Sequence, residues 1–311
     1  MLCGVSLIAT GCAPALWNTH VATGRQAYEQ GRYADAETSW KAALEEAEAS
    51  RDARRLARSL NNLGWLYGQR GRLAEAEPLF RRALRIADAS LANGDRPTLA
   101  AILDNLGRLY HLQRRYDEAE PLLKRALAIR EKMVSLTRKL EGFNWNRAAP
   151  ESIDHLAELY YDQGRYDEAE PLVRRSLKIR ESALGSEDPL VAVSLHSLGH
   201  VRERRGQPAE AEALYARSLA INEKALGPEH FQVAHDLDSL AGIYYVRGER
   251  DRPEALYRRA LAMFEKTLGP DHPEVAGTLE HLARLLRDSG REAEAAGLDA
   301  RARAIRTNRV R

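Results

Sequence analysis

Cysteine is nearly absent from this chain of 311 residues: Cys3 and Cys12 are the only two, both close to the start. The long remainder can hold no disulfide framework and no thiolate metal site. Aromatic residues are scarce at 6%, and β-branched runs alternating at period 2 are missing, so a sheet is not expected. After Trp17 no apolar stretch approaches the roughly 18 residues that a bilayer span needs. Charge of one sign is lacking too. Net charge is +2 with 30% charged residues, which gives no global case for nucleic-acid binding, since that needs a concentrated basic face. No HExxH, Walker loop, GxGxxG after a strand or GxSxG occurs. Ala, Leu, Glu and Arg are abundant instead, and all four lose little freedom on entering a helix.

The chain repeats itself. "QRGRLAEAEPLFRRALRI" (69–86), "LQRRYDEAEPLLKRALAI" (112–129), "DQGRYDEAEPLVRRSLKI" (162–179) and "RRGQPAEAEALYARSLAI" (204–221) are one unit written four times, and weaker copies stand at 29–46, 246–263 and 288–305. Anchored on Gly31, Gly71, Arg114, Gly164, Gly206, Gly248 and Gly290, the seven copies are spaced by 40, 43, 50, 42, 42 and 42 residues. A leucine recurs eight residues before each turn (Leu63, Leu106, Leu156, Leu198, Leu240, Leu282). Small residues follow the turn (Ala36, Ala76, Ala119, Ala169, Ala211, Ala295), and a second small column comes after them (Ala43, Ala83, Ala126, Ser176, Ser218, Ala260, Ala302). Between the two stands a bulky residue (Trp40, Phe80, Leu123, Val173, Tyr215, Tyr257). Offsets of three to four residues put these columns on one helical face. Small residues let two helices approach closely, and the bulky one fills the gap beside them. Each unit therefore reads as two antiparallel helices around a tight turn, and such pairs bury their apolar stripes only by stacking.

These columns resemble the tetratricopeptide repeat, in the longer 42-residue form found in kinesin light chains. Their connectors are similar to "ALGSEDPLVA" (183–192), "ALGPEHFQVA" (225–234) and "TLGPDHPEVA" (267–276). The resemblance covers about residues 21–305 and implies an all-α fold, a right-handed α-solenoid of about seven helix-turn-helix repeats over 21–311. Four positions depart from the pattern. Arg114 stands at a turn glycine, Pro253 at a small residue, Asp299 at the bulky position and Arg303 at a leucine. The last two give the final repeat the polar outer face expected of a solubilising cap.

In that family the first helix of each pair lines a concave groove. The resemblance places groove residues at Asn61, Asn62 and Trp65; Asp104, Asn105 and Arg108; Asp154, His155 and Glu158; His196, Ser197 and His200; Asp238, Ser239 and Gly242; and Glu280, His281 and Arg284. These positions vary from copy to copy while the packing columns do not, which suits a surface freed from packing. Asn62 and Asn105 match the asparagine with which relatives hold a peptide backbone, since an amide both donates and accepts. The implied role is a non-enzymatic scaffold that binds a protein or extended peptide, with no cofactor, metal, nucleic acid or small-molecule substrate.

His230 and His272 recur in the connectors. They read either as metal ligands or as parts of a helix stop and restart. The Glu column (Glu37, Glu77, Glu120, Glu170, Glu212, Glu254) repeats with the fold and reads as structural, favouring the start of the second helix through its dipole. In "LEGFNWNRAAP" (140–150), Phe143 and Trp145 sit in an expected loop, either tucked against a helix pair or presented to a partner. The Arg-rich "RARAIRTNRVR" end (301–311) reads as a solvated helix terminus.

Residues 1–11 form a short apolar run before Cys12, similar to a bacterial lipobox, although no Lys or Arg precedes it. That reading makes 1–11 a cleaved signal peptide, Cys12 a lipidated N-terminus and 12–20 a linker. The protein would then be an outer-membrane lipoprotein facing the periplasm. The alternative is a cytoplasmic scaffold with Cys12 unmodified.

Overall fold

The computed structural model describes residues 13–90, 95–137 and 145–308; Cys12, Phe143 and residues 309–311 lie outside them, as does the side chain of Trp145. The described residues form fourteen α-helices and no strand. They are α1 (Ala13–Glu29), α2 (Tyr33–Ser50), α3 (Ala53–Gln69), α4 (Leu73–Ser90), α5 (Arg96–Leu112), α6 (Tyr116–Thr137), α7 (Trp145–Asp162), α8 (Tyr166–Leu184), α9 (Pro189–Arg204), α10 (Pro208–Leu226), α11 (Phe231–Val246), α12 (Asp251–Leu268), α13 (Pro273–Asp288) and α14 (Glu292–Asn308). The chain divides into two compact units, Met1–Leu159 and Tyr160–Arg311. In the first unit α1–α2, α3–α4 and α5–α6 pair, α2 packs on α3 and α4 on α5. In the second, α8 packs on α9, and the pairs α9–α10, α11–α12 and α13–α14 stack in the same way. This is the helix-pair packing of an α-solenoid.

The tight turns follow from backbone geometry. Gly31, Gly71, Gly164, Gly206, Gly248 and Gly290 all take φ between 72° and 88°. Arg114 takes the same left-handed place at φ 59°, at a steric cost glycine does not carry. Each first small column (Ala36 to Ala295) is sealed from solvent, as are the second column and the recurrent leucines. Four of the six bulky residues lie where the paired helix offers a glycine. A Cβ built on Gly24 would stand 2.4 Å from Trp40, on Gly64 2.8 Å from Phe80, on Gly107 2.8 Å from Leu123 and on Gly199 2.5 Å from Tyr215.

The Glu column acts between repeats rather than through the helix dipole alone. Glu37 accepts from Tyr67 Oη at 2.9 Å and from Arg72 at 2.9 Å, both in the next pair. Glu77 repeats the pattern with Tyr110 at 3.4 Å and Arg115 at 2.9 Å. In each case the guanidinium also lies 4.0 Å over the tyrosine ring. In the second unit Arg202 occupies the tyrosine position, and it pairs with Glu170 together with Arg205. Glu212 pairs with Arg247 at 2.6 Å and Glu254 with Arg291 at 2.7 Å. Hydrogen bonds from Lys41 above all, then Tyr67 and Arg72, hold the Glu37 carboxyl down to about 2.

The connectors resolve the two recurrent histidines. Gly227 and Gly269 end α10 and α12 at φ 89° and 93°, and His230 and His272 then N-cap α11 and α13. Each ring Nδ1 accepts a backbone N–H at 3.3 Å, from Gln232 and Glu274. Asp188 does the same for Leu190 at 2.8 Å. Pro253 is buried in the first turn of α12, where a missing N–H costs nothing. Asp299, at the bulky position of the last copy, pairs with Arg287.

Two expectations need correction. Residues 13–20 are not a linker, because α1 starts at Ala13. Trp17 is 4% exposed, its Nε1 donates to Ser59 Oγ at 3.0 Å, and Arg55 and Arg58 lie over its ring. An apolar face centred on Trp17 and Val21 needs a helix there. Residues 145–150 are helical as well, so the long connector is shorter than 140–150 suggests.

Replacing Arg114 with glycine removes a left-handed β-carbon and should stabilise the chain by about 1 kcal/mol. A urea midpoint unchanged or lowered by Arg114→Gly contradicts this.

A candidate binding surface on the first helices

In the first unit, α3 and α5 lie side by side. Asn105 Nδ2 donates to Asn61 Oδ1 at 3.0 Å, linking two of the expected groove positions. Asn62 and Trp65 line a cavity of about 310 Å³ with Val21, Arg25, Tyr28, Glu29 and Trp40. Tyr28 stands 4.5 Å from Trp65 and 6.3 Å from Trp40, ring centre to ring centre, in a chain poor in aromatics. The cavity thus combines aromatic walls with one amide, able to hold an apolar group while bonding a peptide unit.

Asp104 is not on this surface. It is 3% exposed, pairs with Arg130 and accepts from Ser152 Oγ at 2.7 Å. A carboxylate buried this deeply needs both partners, so its role is to join α6 to α7 within the first unit. Arg108 and Glu158 are exposed. His155 is half-buried, and its Nδ1 has no hydrogen-bond partner. Burial, then the charges of Arg108, Arg130 and His111, push its imidazole down to about 3.

In the second unit a cavity of about 340 Å³ is lined by His196, Ser197 and His200 of α9, Ser218 and Asn222 of α10, and Phe231, His235 and Asp236 of α11. His196 Nδ1 lies 2.8 Å from Asp236 Oδ1, and Asn222 Nδ2 donates to Asp236 Oδ2 at 2.8 Å. The Nε2 atoms of His196 and His200 are 2.9 Å apart. Burial, then His196 and His235, push the His200 imidazole down to about 3. Further along, His281 Nδ1 meets Asp238 Oδ2 at 2.9 Å, and that bond raises the His281 pKa. Glu280 is held by Arg306 at 2.7 Å, and Arg284 lies 4.9 Å over Tyr245.

Five of the expected positions therefore line cavities: Asn62 and Trp65 in one unit, His196, Ser197 and His200 in the other. Asn61, Asn105, Asp238 and His281 bond to one another between neighbouring first helices. Sequence reading missed Tyr28, Asn222, His235 and Asp236. His235 and Val193 stand thirteen residues before their turn glycines, one helical turn before the positions that were counted. Asn222 lies on a second helix, where the copies gave no reason to look.

Family models of the tetratricopeptide repeat match residues 18–89, 148–224, 196–252 and 233–308, and a further one matches 99–136. No curated protein sequence matches the chain. Among solved structures, BtubC (BKLC) of P. vanneervenii is similar at TM-score 0.58 and 23% identity, over 76% of this chain and 90% of that one. A Podosopora anserina protein described as a kinesin light chain with nearly identical TPR-like repeats gives 0.54 and 28%, over 68% and 95%. The Rap conjugation gene regulator of plasmid pLS20, in complex with the Phr peptide, gives 0.62 at 15% over 99% and 80%, a likeness of fold alone.

The depressed His155 pKa carries a sign. As pH falls below the ordinary value of 6.5 the unfolded chain takes up the proton first, so the stability present above 6.5 is lost on the way down to about 3. The thermal midpoint should therefore fall more steeply from pH 7 to 4 in the wild type than in His155→Gln. Parallel slopes contradict the assignment.

Proposed function

The chain belongs to the tetratricopeptide repeat family, and from that premise we propose that it is a non-enzymatic docking module for a protein or extended peptide. The observation that carries the reading is the lining of the two cavities. Positions that differ from copy to copy, Asn62, Trp65, His196, Ser197 and His200, face these spaces, and of the repeated columns only Trp40 and Ser218 reach them. Rigid first helices would present amides, imidazoles and rings without having to order them on binding, which lowers the entropic cost of association. The Rap regulator solved with the Phr peptide is a solenoid of similar fold with a peptide bound, and this supports the same use here.

A phage-displayed peptide library panned on the purified chain tests the reading. Enriched peptides should lose at least tenfold in affinity with Asn62→Ala or Ser197→Ala, and keep it with Arg81→Ala on the exposed side of α4. Peptides indifferent to both inner substitutions contradict it.

We also propose that Cys12 is lipidated and anchors the module to a bacterial envelope membrane. What supports this is the apolar run before Cys12 and the confinement of both cysteines to the first residues. No helix among the described residues is long and apolar enough to cross a membrane, so anchoring would rest on the lipid. Metabolic labelling with a palmitate analogue should mark the wild type and not Cys12→Ser. Label absent from both, or kept by the variant, leaves the cytoplasmic scaffold.

A further inference from the structure

The imidazole pair of α9 joins two histidine rings directly. His196 and His200 are one helical turn apart on the same face, so both rings project to one side. Their Nε2 atoms meet at 2.9 Å beside a cavity of about 340 Å³. A ring nitrogen can donate or accept but not both, and here the roles are set from behind. The carboxylate of Asp236 is acceptor only, so His196 Nδ1 carries a proton, and in the neutral ring His196 Nε2 is then a lone pair. His200 Nε2 must then donate to it. Asn222 holds the second oxygen of Asp236, and Asp236 itself is 1% exposed, which fixes the geometry.

We propose that His196 and His200 form a site for a divalent transition metal of the imidazole-preferring class, with Asp236 and Asn222 as the residues that orient it. Two Nε2 ligands on a tetrahedral ion with bonds of about 2.0–2.1 Å stand about 3.3 Å apart, so the pair has to open by only about 0.4 Å. Binding moves the His200 proton from Nε2 to Nδ1, and the ion takes the place of the proton that the two rings share. The carboxylate behind a ligating histidine is the arrangement that raises ligand basicity and fixes the tautomer. No group of three or more coordinating side chains converges among the described residues. The His235 ring, 6.2 Å from His196 between centres, stands outside the shell. The remaining positions are therefore left to water or to a partner side chain entering the cavity. The Irving–Williams order places Cu²⁺ as the strongest probe and Zn²⁺ below it.

The test uses the untagged full chain, Cu²⁺ and Zn²⁺, and no peptide, so its outcome is independent of the docking proposal. One equivalent of Cu²⁺ should give an electron paramagnetic resonance spectrum with coupling to two imidazole nitrogens. Zn²⁺ should raise the thermal midpoint. His200→Ala should lose the two-nitrogen pattern and weaken Zn²⁺ binding at least tenfold, and His111→Ala should do neither. A wild-type spectrum without two coupled imidazoles overturns the proposal whatever the variants do, and so does equal Zn²⁺ affinity in wild type and His200→Ala.

Discussion

Where Phe80 lies against Gly64 there is no room for a side chain, since even a β-carbon would stand 2.8 Å from the ring. Trp40 over Gly24, Leu123 over Gly107 and Tyr215 over Gly199 repeat that approach. The contact brings the two helix axes of a pair close and fixes the rotation of each helix about its own axis. Once rotation is fixed, the recurrent leucine of the first helix must point inward, and the positions one and two residues before it fall beside the neighbouring first helix, where Asn61 meets Asn105 and Asp238 meets His281. The candidate binding surface is a consequence of that packing: Asn62 and Trp65 flank the same turn that carries Leu63 and Gly64.

Charge then secures what packing arranges. The Glu37–Tyr67–Arg72 contact and its successors tie neighbouring pairs together within each unit, and most are half-shielded from solvent, which makes them stronger than fully exposed pairs. Repeat five shows how the tie survives substitution. Arg202 replaces the tyrosine, Gln207 replaces the arginine after the turn, and Glu170 still finds its cations in Arg202 and Arg205. Deeper in the stack, buried charges and amides are drawn to one another: Arg130 bonds Asp104, which also accepts from Ser152, Arg180 bonds Ser194 at 2.6 Å, and Asn222 bonds Asp236.

Helix number, turn positions and core columns were legible in the sequence because each is stated six or seven times, and repetition separates packing from chance. Features stated once were not. Trp17 has no counterpart in other copies, so α1 was begun too late and residues 13–20 were taken for a linker. Asp104 sits at a groove position by register, yet Arg130 and Ser152 draw it inside, and nothing in its own copy announces them. The inter-repeat role of the Glu column was hidden for the opposite reason. Its partners lie about 35 residues on in the next copy, and a column that repeats everywhere reads as local until the partner column is seen beside it.

Packing and recognition are thus carried by neighbouring residues on one helix, and that separation is the claim on which the account rests. Equilibrium urea unfolding of Gly64→Val beside Asn62→Ala tests it most directly. The account predicts a loss of about 2 kcal/mol or more for the valine, which is forced into the Phe80 ring, and a change within about 0.5 kcal/mol for the alanine, which stands outside the packing columns. Similar losses for both, or the larger loss at Asn62, would contradict it.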